Sequence, residues 1–255
     1  MPDIDNAGIQ IHYEVIGEGE PIVLLHGNGN SIADWYDCGF IDVLQNKYQL
    51  ILIDARGYGD SSKPHDIQDY SPQKIASDVI LVLDDLKIKQ AYCFGYSMGG
   101  RHAFAVMKYY PERIKTFIIG GMNPYGQSSL KNLIAEWLKK GLPYFVEQFE
   151  KEFGRFPEKI RPRYLANDTQ AMLASSSYVW PDMSEDLKKI TVPCFLYGGE
   201  CDDVTCEIKK YGQLIRKGEY RILKGMDHCQ PFWSGLSAQL IDEFLTKVKR
   251  GDYEK

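Results

Sequence analysis

Short apolar runs alternate along the chain with longer stretches of helical periodicity. IQIHYEVIG (9 to 17) alternates apolar and polar positions, as an outer strand does. PIVLLHG (21 to 27), YQLILIDARG (48 to 57) and AYCFGYS (91 to 97) are mostly apolar and run into glycine loops, which predicts strands buried on both faces. IKTFIIGG (114 to 121), VPCFLYGG (192 to 199) and EYRILKG (219 to 225) complete the set. Between them, 71 to 86, 99 to 110, 207 to 217 and 237 to 249 read as helices, the last with Leu240, Ile241, Phe244, Leu245 and Val248 at core-facing spacing. This alternation predicts an α/β fold, a parallel sheet with helices on both faces.

From Asn123 to about Leu187 the rhythm breaks, and every pattern is helical. Leu130, Leu133, Ile134, Trp137 and Leu138 form one stripe that stops at Gly141. Phe145, Phe149 and Phe153 follow at four-residue intervals, and DTQAMLASSSYVWP (168 to 181) suggests another short helix. The segment is too short and too apolar to stand alone. The expected organisation is a core domain of residues 1–122 and 188–255 with a helical insertion at 123–187.

Composition narrows the function classes. With 44% hydrophobic and 25% charged residues, the 255-residue chain matches an ordinary globular protein. A formal net charge of -5 without a basic patch argues against nucleic acid as a partner. No stretch approaches 18 uninterrupted apolar residues, and MPDIDNAGIQ lacks a basic region followed by an apolar one, so a cytoplasmic protein without membrane attachment is expected. Six cysteines without CxxC spacing point to reduced thiols rather than a metal site.

In open α/β sheets the ligand site lies beyond the carboxyl ends of the strands. There the chain places HGNGN, DARGYGDSS, YSMGG, GGECDD and GMDHCQPF. A serine, a carboxylate and a histidine therefore stand at strand ends in the order Ser97, Asp202 or Asp203, His228. A serine hydroxyl is a weak nucleophile until a base takes its proton, and a carboxylate on the far ring nitrogen fixes that base's tautomer. Average glycine and serine usage produces GxSxG by chance on the order of once in ten chains this long, so GYSMG alone decides little.

Together these stretches resemble the α/β-hydrolase superfamily, over nearly the whole chain. HGNGN resembles its HG loop, DARGYGDSSKP its D-x-R-G-x-G-x-S loop, GYSMGG its nucleophile elbow, GECD its acid turn and GMDH its histidine loop. The resemblance implies an α/β-hydrolase fold in which 123–187 caps the site. It also implies a catalytic triad of Ser97, Asp202 and His228, with the backbone N–H groups of Asn28 and Met98 as the oxyanion hole. For the acid, the alignment of GECD favours Asp202 over Asp203, which is expected to cap the helix that begins near Thr205 or to stand as a solvated carboxylate. His26, Asp54 and Arg56 read as structural residues of their loops, His102 as a helix-face residue, and Cys201 and Cys229 as quiet thiols beside the acid and the base.

No cofactor is required. The leading expectation is hydrolysis of a small-to-medium apolar ester or lactone through an acyl-enzyme on Ser97. Perhydrolase or carbon-carbon bond hydrolase chemistry on the same triad stays open, as does, in another class, a non-catalytic receptor on the hydrolase fold.

Overall fold

The computed structural model describes residues 3–126 and 129–253; the side chains of 129–132, Leu130 among them, lie outside the description. Eight described strands form one sheet: β1 (Asp3–Asn6), β2 (Ile9–Ile16), β3 (Glu20–Leu25), β4 (Tyr48–Ile53), β5 (Ala91–Tyr96), β6 (Ile114–Gly120), β7 (Cys194–Gly199) and β8 (Gly218–Leu223). Their order is β1-β2-β4-β3-β5-β6-β7-β8. β1 and β2 run antiparallel to their neighbours, whereas β4 to β8 are joined by parallel ladders, with Leu25 opposite Gly95 and Gly95 opposite Ile119. The predicted α/β class and the seven expected strands are present.

The two-residue period explains the layering. Ile22, Leu24, Leu50, Leu52 and Phe94 point to one face, against α1 (Ile32–Asp37), α2 (Phe40–Leu44) and α11 (Leu236–Lys249). Val23, Leu25, Ile51, Ile53 and Cys93 point to the other, against α3 (Pro72–Asp85) and α4 (Met98–Tyr109). Leu24, Leu50, Leu52 and Ile118 are completely buried, each contributing about 1.5–3 kcal/mol relative to an exposed side chain. Pro72 opens α3 directly after Ser71, whose hydroxyl accepts from Lys74 N, so the SP dipeptide supplies both the cap and the fixed first turn.

Three local features depart from the expectations. β1 was hidden because DIDN is short and polar; as an edge strand it buries Ile4 alone. The expected helix at 207 to 217 holds its α-helical turn only over α9 (Ile208–Gly212), where Gly212 packs against the Tyr220 ring. Short helices α1, α2 and α10 (Gln230–Trp233) carry too few residues to show a period.

Between β6 and β7 the described residues hold no strand and four α-helices: α5 (Ser129–Lys139), α6 (Leu142–Phe153), α7 (Arg161–Leu165) and α8 (Thr169–Ser177). Phe145, Phe149, Phe153, Phe156 and Tyr164 are buried together, and Phe156 stacks on Tyr164 with centroids 4.5 Å apart. On its outer side, Arg163 of α7 pairs with Asp34 and, at 2.8 Å, with Asp37 of α1.

Candidate active site

Ser97 sits where β5 turns into α4, with φ 54° and ψ -118°. A non-glycine residue rarely takes that conformation, and holding it costs about 1–3 kcal/mol. The flanking glycines permit it. A Cβ at Gly95 would overlap the Gly99 carbonyl, and one at Gly99 would overlap the Leu25 carbonyl. Strand, turn and helix can therefore close tightly enough to lift the serine oxygen off the sheet, while Ser97 N donates to Gly120 O at 2.9 Å.

His228, on the loop between β8 and α10, reaches that oxygen. Its Nε2 lies 2.9 Å from Ser97 Oγ, and its Nδ1 lies 2.9 Å from Asp202 Oδ2. With Nδ1–H donating to the carboxylate, Nε2 is left as the acceptor for the serine hydroxyl. The Tyr96 hydroxyl donates to the His228 carbonyl at 2.7 Å, and the Phe153 ring meets the imidazole edge-on at 5.5 Å. Burial alone would pull the imidazole pKa down, but the Asp202 charge and hydrogen bond, aided by Asp227, outweigh it and hold the pKa above its ordinary value.

Asp202 is buried and Asp203 exposed. The helix-capping role expected of Asp203 belongs to Asp202, whose Oδ1 accepts from Val204 N at 3.0 Å while Oδ2 faces the histidine. One carboxylate serves both because its two oxygens point to opposite sides of the turn. Thr205 Oγ1, at 3.3 Å from Oδ2, adds a further donor.

The expected oxyanion donors frame Ser97. Met98 opens α4, so its N–H is among those that a helix leaves without an intrahelical partner. Asn28 follows the HG turn and is tethered twice: the Tyr58 hydroxyl donates to its Oδ1 at 2.7 Å, and the Tyr164 hydroxyl donates to its carbonyl at 2.8 Å. Asn167 Nδ2 donates to the next carbonyl, Gly29 O, at 2.8 Å. Gly29 has φ 73°, and a Cβ there would run into the Tyr164 ring. Sequence reading missed Tyr58, Tyr164 and Asn167, since nothing local ties the last two to a loop more than 130 residues away.

A model of the family described as alpha/beta hydrolase fold matches residues 20–235. The chain belongs to that family. A Bacillus subtilis (strain 168) protein provisionally named 2-succinyl-6-hydroxy-2,4-cyclohexadiene-1-carboxylate synthase is 29% identical, over 93% of this chain and 96% of its own. A 2-hydroxy-6-oxononadienedioate/2-hydroxy-6-oxononatrienedioate hydrolase from Burkholderia vietnamiensis (strain G4 / LMG 22486) is 27% identical over 78% of this chain and 76% of its own. Among solved structures, the enol-lactonase from Burkholderia xenovorans LB400 has the same fold, with a TM-score of 0.84 at 20% identity, covering 96% of this chain and 100% of that one.

Within this alpha/beta hydrolase the remaining candidates fall into place. His26 is structural: its Nδ1 meets Gly27 O at 2.8 Å and its Nε2 accepts from Ala55 N at 3.0 Å. Arg56 is buried and fully engaged, with Asp78 at 2.5 and 2.7 Å and Asp69 O at 2.7 Å. Asp54 accepts from Ile32 N and Asp60 N, at 2.7 and 2.8 Å, as a turn-former does. With His12 and Asp60 it places possible metal-ligand atoms within 4.8 Å of one another. His102 is buried and stacks on Trp180. All six cysteines are free thiols; Cys201 is exposed, and burial pushes the Cys229 thiol pKa up.

A cavity adjoins Ser97 and His228. Asn28, Met98 and Val204 line it from the core, Ile134, Phe149 and Phe153 from α5 and α6, and Trp180 from the chain after α8. A smaller recess also borders Ser97 and His228, between Asn30, Phe156 and Trp233. Arg101 also lines the large cavity, although the sequence reading passed over it. Its signal was present in GYSMGGR, four residues after the serine and one turn into the helix that follows it.

Proposed function

We propose that the protein is a serine hydrolase that cleaves a carboxylic ester or lactone through an acyl-enzyme. The observation that carries this reading is the position of His228, within 2.9 Å of both Ser97 Oγ and Asp202 Oδ2. As Ser97 attacks the carbonyl, His228 takes its proton, and Asp202 stabilises the imidazolium. The oxyanion is met by the N–H groups of Asn28 and Met98, a kind of donor whose loss typically costs about 10²–10³-fold in rate. His228 then gives the proton to the leaving alcohol, and in the second half-reaction it activates water to release the acid. Residues 123–187 act as a cap. The two recesses flanking Ser97 suit an acyl portion and a leaving group of small to medium size.

Labelling by a fluorophosphonate probe, mapped to Ser97, and hydrolysis of p-nitrophenyl esters of graded acyl length test the reading. Labelling at Ser97 with turnover is the expected result; absence of both at every chain length rejects it, in favour of a non-catalytic ligand receptor. A second reading, carbon-carbon bond hydrolysis on the same triad, is favoured by the Burkholderia vietnamiensis relative named as a dioate hydrolase. Product analysis with a vinylogous diketone acid separates the two.

A further inference from the structure

Arg101 lies one helical turn beyond Ser97, its backbone N–H donating to the Ser97 carbonyl at 3.1 Å. Its guanidinium borders the same cavity. The Nε is sealed from solvent without a hydrogen-bond partner, and one Nη meets only the Met122 sulfur, a weak acceptor, at 3.6 Å. Trp180 offers a ring face 5.8 Å away. No described Asp or Glu side chain pairs with Arg101, and none is among the residues lining the cavity. Burial pushes its pKa down to about 10, which still leaves a cation at neutral pH.

Arg56 shows how this chain treats an arginine whose work is structural: a carboxylate and a carbonyl take its N–H groups. A half-buried cation whose N–H groups lack such partners is costly to keep, and a guanidinium is a rigid fork of donors shaped for a carboxylate. We propose that Arg101 binds a carboxylate of the substrate. On the serine hydrolase reading, which this inference presupposes, the molecule cleaved carries an anionic group a few bonds from the carbonyl that Ser97 attacks. The spacing follows from the cavity, since Ser97 and Arg101 both line it. The substrate class is thus a half-ester or carboxy-lactone, in place of the small-to-medium apolar ester or lactone expected from the sequence.

The test compares monomethyl glutarate with methyl hexanoate in a pH-stat at pH 7.5. The wild type should prefer the anionic ester in kcat/KM, and Arg101→Gln should lower that preference by about 10- to 100-fold, the range of a charge-assisted pair. Arg101→Lys should restore part of it, which a merely structural arginine would not do. A wild type without the preference, or a ratio unmoved in Arg101→Gln, overturns the proposal. A second arm titrates glutarate into Ser97→Ala protein by calorimetry, with and without Arg101→Gln, and should show at least tenfold weaker binding in the double variant. If no ester is cleaved but glutarate binding still depends on Arg101, the hydrolase reading fails and the anion site stands. If esters are cleaved and glutarate binding ignores Arg101, the anion site fails alone.

Discussion

The two walls of the cavity are built by different rules. On the core wall, Ser97, His228, Asp202 and Asn28 come from loops at the ends of parallel strands; hydrogen bonds of 2.9 Å join Ser97 to His228 and His228 to Asp202, and the Tyr58 hydroxyl holds Asn28 at 2.7 Å. Ser97 is held there at φ 54°. On the opposite wall, Ile134, Phe149, Phe153 and Trp180 come from α5, α6 and the chain after α8, and they meet the cavity through apolar surface. Positioning a proton transfer needs fixed polar atoms, whereas admitting a substrate needs shape. The division implies that core-wall changes alter turnover, and that insertion-wall changes alter which substrate is preferred.

The largest effect should come from the core wall. If the proposed triad acts as a unit, Ser97→Ala and His228→Ala should each lower kcat by as much as about 10⁶-fold while the protein stays folded. Ser97→Gly should be equally inactive in an ester assay and yet more stable. Glycine removes a backbone cost of about 1–3 kcal/mol at φ 54° and returns about 0.5–1 kcal/mol through the unfolded chain. A chemical denaturation midpoint below wild type would show that the elbow stores no strain.

Next in size is the acid. Asp202→Asn should cost on the order of 10⁴-fold in kcat, and Asp203→Asn should leave kcat within about twofold. The sign of the pH effect follows from the raised His228 pKa. Activity needs the neutral imidazole, so kcat/KM should climb with pH through a value above the ordinary histidine range. Because the fold favours the protonated form, the stability linked to this group is complete below the ordinary value and fades as pH rises through the raised one. Without the Asp202 charge, burial governs, and the acid limb of Asp202→Asn should move to lower pH. A limb that stays in place would mean that another group sets it.

The walls also differ in how much of each is legible in sequence. The strand-end residues were readable because each lies inside a local pattern: an apolar strand, a glycine and one reactive side chain, as in AYCFGYSMGG. Even the acid turn was readable, with GECD favouring Asp202 over its neighbour, and in the structure it is Asp202 that is buried and meets His228. The helices of the insertion were equally plain from their apolar stripes. What they touch was not, because a helical period says which face is buried and nothing about its partner. Tyr164 donates to Asn28 O across 136 residues of sequence, through a packing that no local pattern encodes.

That same contact is where the division between the walls leaks, and it gives the smallest prediction. Tyr164 belongs to α7 of the insertion, yet its hydroxyl holds the peptide carbonyl of Asn28, whose N–H is the proposed oxyanion donor. Tyr164→Phe keeps the ring that stacks on Phe145 and Phe156 and removes that one donor. The loss of a single buried hydrogen bond should cost about 0.5–1.5 kcal/mol in stability. If the Asn28 loop loosens, kcat should fall several-fold with little change in KM, since a misplaced donor is felt where the oxyanion forms rather than where the ground state binds. A change in KM alone would return Tyr164 to the substrate wall. A fall in kcat would mean that the insertion holds part of the catalytic machinery in place as well as shaping what enters.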